Sequence, residues 1–557
     1  MPTVAELVLA RRHDAHVGLR FEDESWTWQE VTAEAAARAE MLSSLRPAAG
    51  EPFHVGVLLE NVPEYLFVLA GAALCGATVV GINPTRRGDE LARDVRHTDC
   101  WLLVTDAKGA ELLADLDTGV APHRMLLVDS PPYRSLVARH HGAPLPPPPS
   151  LPTERDLYLL LFTSGSTGAP KAVRTSHGRA AAAALAMAQG SGFGPDDVLY
   201  CAMPMFHGNA LHSCVVPAVA SGATLVLRRR FSASAFVADI RRYCVTYFNY
   251  VGRALAYVLA TPPSPEDADN RLRFAFGTEA SPADISAFRR RFGCPVVEGY
   301  GSSEGAISMT RVPGTPRTAL GKPPPGMDVA VIDPDTLREC PPARFGPDGR
   351  LHNADEAIGE IVARDGVARF EGYYGNDEAD RLRTRHGWFW SGDLGYRDEE
   401  GFFYFAGRPT DWLRVDGENF AAAPVERILA RLPGVVTVAV YPVPDPRTGD
   451  QVMATLELAD PAAFDPRAFA AFLEEQPDLG TKWAPRFVRI GHVPLTATGK
   501  VDKRPLREEA WRCADRLWWR PAGEAAYRPF TQTDAAAVEA QFAAAGRRVL
   551  LPVTMRR

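Results

Sequence analysis

Thr163-Ser164-Gly165-Ser166-Thr167-Gly168-Ala169-Pro170-Lys171 follows directly on the apolar run Leu157–Phe162. A strand that ends in hydroxyls and glycines, with one lysine, builds a loop whose backbone N–H groups can turn toward phosphate oxygens. Glycine permits the close approach and the unusual backbone angles. The hydroxyls add hydrogen bonds, and Lys171 adds charge. This is not a Walker loop, because Gly165 and Gly168 lie too close together and Ala172, rather than Ser or Thr, follows Lys171. A solvated Ser/Gly turn is the plain alternative, and the string as a whole weighs against it.

Upstream of the loop, short apolar runs at 54–59, 78–82 and 101–105 alternate with the helix-length segments Pro63–Cys75 and Gly88–His97. That is the pattern of parallel strands with crossover helices. The proline cluster at 144–149 closes this first block and reads as a stiff, extended linker. A second block of the same kind follows, with strands at Leu157–Phe162, Thr224–Leu227, 246–251 and 273–276 between Ala-rich helical stretches. After about 323 the chain becomes β-like and glycine-punctuated, at Gly359–Ala363 and 401–405, which predicts a small strand-rich subdomain. From 408 onward, strands at 435–443 and 451–458 precede a helix at 466–475. The fold class is therefore α/β plus α+β. Residues 1–407 make a large N-terminal part of two αβα-type subdomains and a small β-rich one. Residues 408–557 make a mobile, small C-terminal α+β domain with an extension.

Composition narrows the function. Across 557 residues, 61 basic side chains stand against 68 acidic ones, a formal charge of −7 that argues against a nucleic-acid binder. A hydrophobic fraction of 46% with 23% charged residues suits a globular enzyme and excludes disordered or fibrous classes. The eight cysteines form no CxxC pair and no regular framework, so zinc and disulfide scaffolds drop out and a reducing, cytoplasmic setting is expected. The segment 1–12 carries Glu6 inside its short apolar stretch and lacks the layout of a secretory signal. The longest uncharged run, 66–82, is punctuated by Gly71, Gly76 and Gly81, which predicts a buried helix followed by a buried strand and no integral membrane span. Lysine is scarce: only Lys108, Lys171, Lys322, Lys482, Lys500 and Lys503 occur beside a large majority of arginine.

Further strings follow the loop in order: Met205-Phe206-His207-Gly208-Asn209, then Glu298-Gly299-Tyr300-Gly301-Ser302-Ser303-Glu304. Next come Gly359-Glu360-Ile361 with Gly372-Tyr373-Tyr374, and Trp388-Phe389-Trp390-Ser391-Gly392-Asp393. Gly407-Arg408 with Asp411, Gly417-Glu418-Asn419 and Thr498-Gly499-Lys500 complete the series. In this order and spacing the chain resembles the adenylate-forming superfamily of acyl-CoA synthetases, peptide-synthetase adenylation domains and luciferases, from about Trp26 to about Arg507. The segment 411–419 and the string Tyr527-Arg528-Pro529-Phe530-Thr531 look like the branch of fatty-acid transport proteins and very-long-chain acyl-CoA synthetases.

The resemblance implies a two-step reaction. A carboxylate attacks the α-phosphate of magnesium ATP to give acyl-adenylate and pyrophosphate, and the thiol of coenzyme A then displaces AMP. It implies that Thr163, Ser164, Gly165, Ser166, Thr167, Gly168 and Lys171 bind ATP together with Glu298, Gly299, Tyr300, Gly301, Ser302 and Ser303. Tyr300 would stack on adenine, and Asp393, with Arg408, would hold the ribose hydroxyls. Glu304 is the expected magnesium ligand, since a hard cation wants carboxylate oxygen. Lys500 is the expected catalytic residue of the first step, its ammonium offsetting repulsion between carboxylate and α-phosphate. Lys503 reads as a solvated or structural partner, and His207 as a pocket gate near the bound carboxylate.

The acid would contact His207, Tyr250, Gly252, Gly277, Thr278 and Glu279, along stretches that include Leu211, His212, Val215 and Phe276. These stretches are mostly apolar with some polar intrusions, and no acidic residue is placed to pair an α-ammonium, so a fatty or other apolar acid is favoured over an amino acid, while a specialised aromatic or polycyclic acid stays open. Gly417 and Glu418 would approach the coenzyme A thiol after the small domain rotates. Two departures from the family pattern stand out: Thr410, where a hinge Asp or Lys is common, and Glu279, where small neutral residues are common. Two other readings stand beside this one. A ligase could perform one half-reaction or load a carrier protein, or a non-catalytic protein could bind or help transport lipid. Retention of Lys171, Glu304, Asp393, Arg408 and Lys500 speaks against the last. Oligomeric state is not legible, a homodimer being the assembly considered.

Overall fold

The structure, a computed structural model, describes all residues except 148–149, 164–170, 253, 281, 347–350, 408–411, 416–417, 447–448, 477–478, 480–481, 497–498, 522, 525, 546 and 553–557. Two compact units result: Met1–Ser308 with Val367–His386, and Met309–Gly366 with Gly387–Arg557.

In the first unit a six-stranded sheet runs in the order Met125–Leu127, Cys100–Thr105, His54–Leu58, Thr78–Gly81, Leu157–Phe162, Ala172–Ser176. A seven-stranded sheet runs Val296–Glu298, Phe274–Thr278, Tyr247–Val251, Val198–Cys201, Thr224–Leu227, Val17–Phe21, Glu24–Thr27. Each is parallel except for its last pair. The uncharged run at 66–82 is a buried helix, Pro63–Cys75, followed by a buried strand, as expected. Pro63 pre-sets the first turn, and Gly76 ends the helix in the left-handed region at φ 72°. A Cβ on Gly71 would lie 2.9 Å from the Ala35 carbonyl oxygen, so this helix packs backbone-close on Trp28–Ser44. Among the described residues no helix is long and apolar enough to cross a membrane.

The proline cluster does not separate two self-contained sheets. Leu157–Phe162, from the second block, pairs with Thr78–Gly81 of the first, Val79 opposite Leu159. Val17–Phe21, from the start of the chain, completes the second block's sheet, Leu19 opposite Leu225. The reason is physical: a strand buried on both faces is a plain apolar run, and nothing in that run marks its neighbour. What decides is contact at a distance, such as the Thr78 hydroxyl donating to the Leu157 carbonyl at 3.1 Å.

The second unit contains the strand-rich subdomain as a four-stranded antiparallel sheet: Val329–Ile332, Gly359–Ala363, Phe389–Arg397, Phe403–Gly407. A five-stranded sheet follows: Val435–Pro444, Asp450–Leu458, Phe487–Ile490, Arg516–Trp519, Arg528–Pro529. Helices Ala422–Leu429 and Pro466–Glu474 contribute to one apolar cluster with it. The extension contributes the last two strands and helix Gln532–Ala544, which helps build a second cluster where Phe487 meets the rings of Trp511, Trp519 and Phe530.

Candidate functional site

Phe162 pairs with Ala172, and the Thr163 N–H donates to the Lys171 carbonyl at 3.1 Å. The two ends of the glycine loop are thus clasped at the end of the strand. Ser164, Gly165, Ser166, Thr167 and Gly168 lie outside the described residues. Lys171 is half-buried, and its ammonium is pushed below the ordinary lysine value by burial and by Arg383, against the pull of Glu304. Lys171, Arg383 and Glu304 therefore share one neighbourhood.

Glu304 is 6% exposed and accepts a hydrogen bond from the Tyr373 hydroxyl at 2.6 Å. The Arg383 Nε donates to that same hydroxyl oxygen at 3.2 Å. Burial pushes the carboxyl up, but the Tyr373 hydroxyl and Arg383 outweigh it and hold the group below the usual glutamate value. Glu304 is a carboxylate at neutral pH. Arg179, itself pushed down by burial, donates to the Ser303 carbonyl and, at 3.0 Å, to the Arg174 carbonyl. Tyr373 is fixed through its own segment: Glu371 accepts from the Ser176 N–H at 2.7 Å and hydroxyl at 2.6 Å, and Val173 bridges Tyr373.

Tyr373, Arg383, Arg179 and Glu371 carry no role in the sequence reading. Tyr373 does sit in a quoted string, but its partner is 69 residues away, and Arg179 lies in an Ala-rich helix without a local mark. Among the described residues no group of three or more His, Cys, Asp or Glu is placed to hold a metal by itself. One buried, ionised carboxylate fits magnesium, which keeps waters and substrate phosphate oxygens as its other ligands.

A second patch lies at the C-terminal ends of the parallel strands, where open α/β sheets bind ligands. The Gly299 N–H donates to the Gly277 carbonyl at 3.1 Å, and the Gly252 N–H to the Thr278 carbonyl at 2.9 Å. Glu298 Oε1 accepts from the Ala280 N–H at 2.7 Å and the Tyr250 hydroxyl at 3.2 Å. Gly277 is required here, because a Cβ would come within 2.4 Å of the Tyr250 carbonyl oxygen. Glu279 is exposed and left-handed at φ 71°, a conformation that costs a side chain about 1–2 kcal/mol. Tyr300 is half-buried on the short strand Tyr300–Gly301, with Gly301 and Ser302 exposed beside it.

His207 caps the short helix Gly208–Ala210, which runs into the π-helical turn Leu211–Val215. A Cβ on Gly208 would lie 3.3 Å from both the Ser303 hydroxyl oxygen and the His212 ring, so this segment adjoins the 298–304 string. The Tyr250 ring faces away from it, in the cluster of Phe236 and Phe288, whereas Tyr247 and Val251 join the cluster of Ala210 and Leu211.

In the second unit Asp393 lies on Phe389–Arg397, its N–H donating to the Ser391 hydroxyl at 3.0 Å, while the Gly392 N–H donates to Glu360 at 2.7 Å. Arg408, Thr410 and Gly417 lie outside the described residues. The Glu418 backbone opens strand Glu418–Ala421, paired with Val415. Lys500 is half-buried in a tight turn: its N–H donates to the Thr496 hydroxyl at 3.1 Å, and the Thr496 N–H returns to the Lys500 carbonyl at 2.7 Å. Lys503 bridges Glu426 at 2.8 Å, the structural partnership expected of it.

The family profile described as AMP-binding enzyme matches residues 8–374, and that of the AMP-binding enzyme C-terminal domain matches 424–500. Steroid-22-oyl-CoA synthetase of Rhodococcus jostii is 53% identical over 553 residues, covering 99% of each chain. Medium/long-chain-fatty-acid–CoA ligase FadD17 of Mycobacterium tuberculosis is 46% identical over 527 residues, covering 93% of this chain and 98% of that one. Among solved structures, the anthranilate CoA ligase AuaEII with anthranoyl-AMP superposes with a TM-score of 0.78 at 21% identity over 92% of this chain and 98% of the other, a likeness of fold. The chain belongs to the AMP-binding enzyme family and is an AMP-forming acyl-CoA synthetase, which activates an acid with magnesium ATP as the acyl-adenylate and passes it to coenzyme A.

Proposed function

We propose that the acid is an apolar, ring-bearing carboxylic acid of the steroid side-chain kind. The observation that carries this reading is the 53% identity, along 99% of both chains, to a protein named for steroid-22-oyl-CoA synthesis. Medium- or long-chain fatty acids are the second reading, favoured by the 46% identity to FadD17. Ala210, Leu211, Val215 and Val251, all buried, support an apolar body against the His207 segment.

In the first step the 163–171 loop, ending in Lys171, receives the pyrophosphate, Tyr300 takes the adenine face, and Asp393 with Arg408 takes the ribose. Glu298, Gly299, Gly301, Ser302 and Ser303 line the nucleotide. Glu304 holds the magnesium, which when bound neutralises phosphate charge. His207 gates the carboxylate, while Gly252, Gly277, Thr278 and Glu279 border the acid and Tyr250 braces that border through Glu298. Lys500 places its ammonium between the two anions, where charge develops in the transition state. In the second step the domain 408–557 turns against 1–407 and brings Gly417 and Glu418 to the thiol. The proposed setting is cytoplasmic, a reading that rests on cysteine spacing with no CxxC pair and no regular framework.

A panel of steroid side-chain acids and fatty acids, scored separately for pyrophosphate and acyl-CoA, tests the substrate. At least tenfold higher kcat/KM on the steroid acid is expected, about 1.4 kcal/mol, and the reverse order installs the second reading. Lys500→Ala is expected to cut pyrophosphate exchange by about 10² or more. Exchange near wild type would remove Lys500 from the first step.

A further inference from the structure

The strand Tyr247–Val251 is buried throughout, and its successive side chains face opposite sides of the sheet. Phe248 and Tyr250 face one cluster, and Tyr247 and Val251 face the other, which holds Ala210 and Leu211. Asn249, between them in register with Tyr247 and Val251, points to the side of the His207 segment. It is 0% exposed, its Oδ1 has no hydrogen-bond partner among the described residues, and its Nδ2 has only the Tyr247 hydroxyl oxygen nearby, outside good hydrogen-bond geometry. The Tyr247 hydroxyl lies near the amide but donates to the Ser213 carbonyl at 2.8 Å. On that facing turn the Nδ1 of His212 is also buried without a partner among the described residues. Burial, helped by Arg179 and His207, pushes the His212 ring down to about 4, so it is neutral at pH 7.

Buried amides in folded proteins nearly always have their hydrogen bonds made, because an unmade one is costly. Two such groups, one on the strand and one on the turn that the Tyr247–Ser213 hydrogen bond joins to it, are best answered by the substrate. We propose that Asn249, with His212, is the specificity element that reads a hydroxyl or keto oxygen on the otherwise apolar body of the acid. This rests on the proposed function only in placing the acid along the His207 segment. The amide N–H donates to a keto or hydroxyl oxygen, Oδ1 accepts a hydroxyl proton, and the neutral imidazole adds one donor or acceptor. A site built to hydrogen-bond an oxygen discriminates strongly against the analogue that lacks it.

The test pairs a ring-bearing acid that carries a keto or hydroxyl group with its deoxy parent. Each is assayed by acid-dependent pyrophosphate exchange on wild type, Asn249→Leu and Asn249→Ser. Wild type is expected to favour the oxygenated acid by about tenfold or more in kcat/KM, and Asn249→Leu to erase about tenfold of that ratio. Thermal unfolding of Asn249→Leu is expected at or above the wild-type temperature, since an apolar group replaces an unpaired amide. A lower Tm with equal loss on both acids overturns the proposal, as does a wild-type enzyme indifferent to the oxygen. Should the leucine variant fail to fold, Asn249→Ser decides on the same terms: a fallen ratio upholds the role and an equal loss overturns it. If neither ring acid is activated and a fatty acid is, the steroid reading alone fails. The same ratio, measured on a hydroxy fatty acid and its parent, then upholds or overturns the Asn249 assignment.

Discussion

Glu304 and Asn249 are both buried polar side chains of the first unit, yet their surroundings differ in kind. Around Glu304 the charge is answered in advance by Tyr373 and Arg383, with Lys171 close by. Around Asn249 and His212 the neighbours are apolar or, like the Tyr247 hydroxyl, already engaged, and the Asn249 Oδ1 and the His212 Nδ1 have no partner among the described residues. His177, 0% exposed and with neither ring nitrogen bonded to a described residue, belongs to the same unanswered class. The difference teaches what each place is prepared for. On the role proposed for Glu304, a carboxylate that takes a cation must be ionised before the cation arrives, and its second partners are built in. A group meant to recognise a neutral oxygen works by being left incomplete until the right ligand comes.

The largest expected effect comes from the answered centre. Glu304→Gln is expected to lower pyrophosphate exchange by about 10²–10³ and to raise the magnesium concentration needed. An unaltered rate and magnesium dependence would make the carboxylate structural and erase the contrast.

His177 sharpens the other side. Burial pushes its pKa from 6.5 down to about 4, so the unfolded chain takes up this proton first as pH falls. The stability it contributes is full above pH 6.5 and is lost as pH drops toward 4, amounting to about 2 kcal/mol between pH 7 and pH 5. Denaturant unfolding of wild type and His177→Phe at those two pH values reads it. The variant should show the shallower loss, and an identical pH dependence would mean that His177 has a partner.

Tyr373→Phe has the smallest expected effect. It removes the hydroxyl from Glu304 while leaving Arg383 in the neighbourhood, so about a tenfold weaker apparent magnesium affinity is expected, recovered by excess magnesium. A loss that magnesium does not recover would put Tyr373 in the fold rather than behind the metal ligand.

Much of the fold is legible in the sequence. The helix Pro63–Cys75 carries its own start and stop, so both ends are read correctly from Pro63 and Gly76. Strands Leu157–Phe162 and Thr224–Leu227 are bounded by turn residues and are likewise found in full. Sheet membership is not legible, because buried parallel strands are alike in composition and pair by tertiary contact. Around the candidate site, Glu304 is marked by its place in a family string, and Lys503, read beside Lys500 as a solvated or structural partner, pairs with Glu426. Tyr373, Arg383 and Glu371 do not, since their partners sit on other elements and a hydrogen bond across such a separation leaves no local pattern. Asn249 is invisible for a related reason: a polar residue in a strand reads as a solvent-facing position until burial on both sides is known.

The exchange of strands between the two large sheets governs the order in which the molecule can form. Leu19 waits for Leu225, and Val79 for Leu159, so neither sheet closes from contiguous chain. Pairings of such separation place the folding barrier late and leave strand edges open in the meantime. A chain divided within 144–149 would give two pieces, each lacking strands that complete its own sheet. The proline stretch is thus a seam in the writing of the chain and not a line along which it folds.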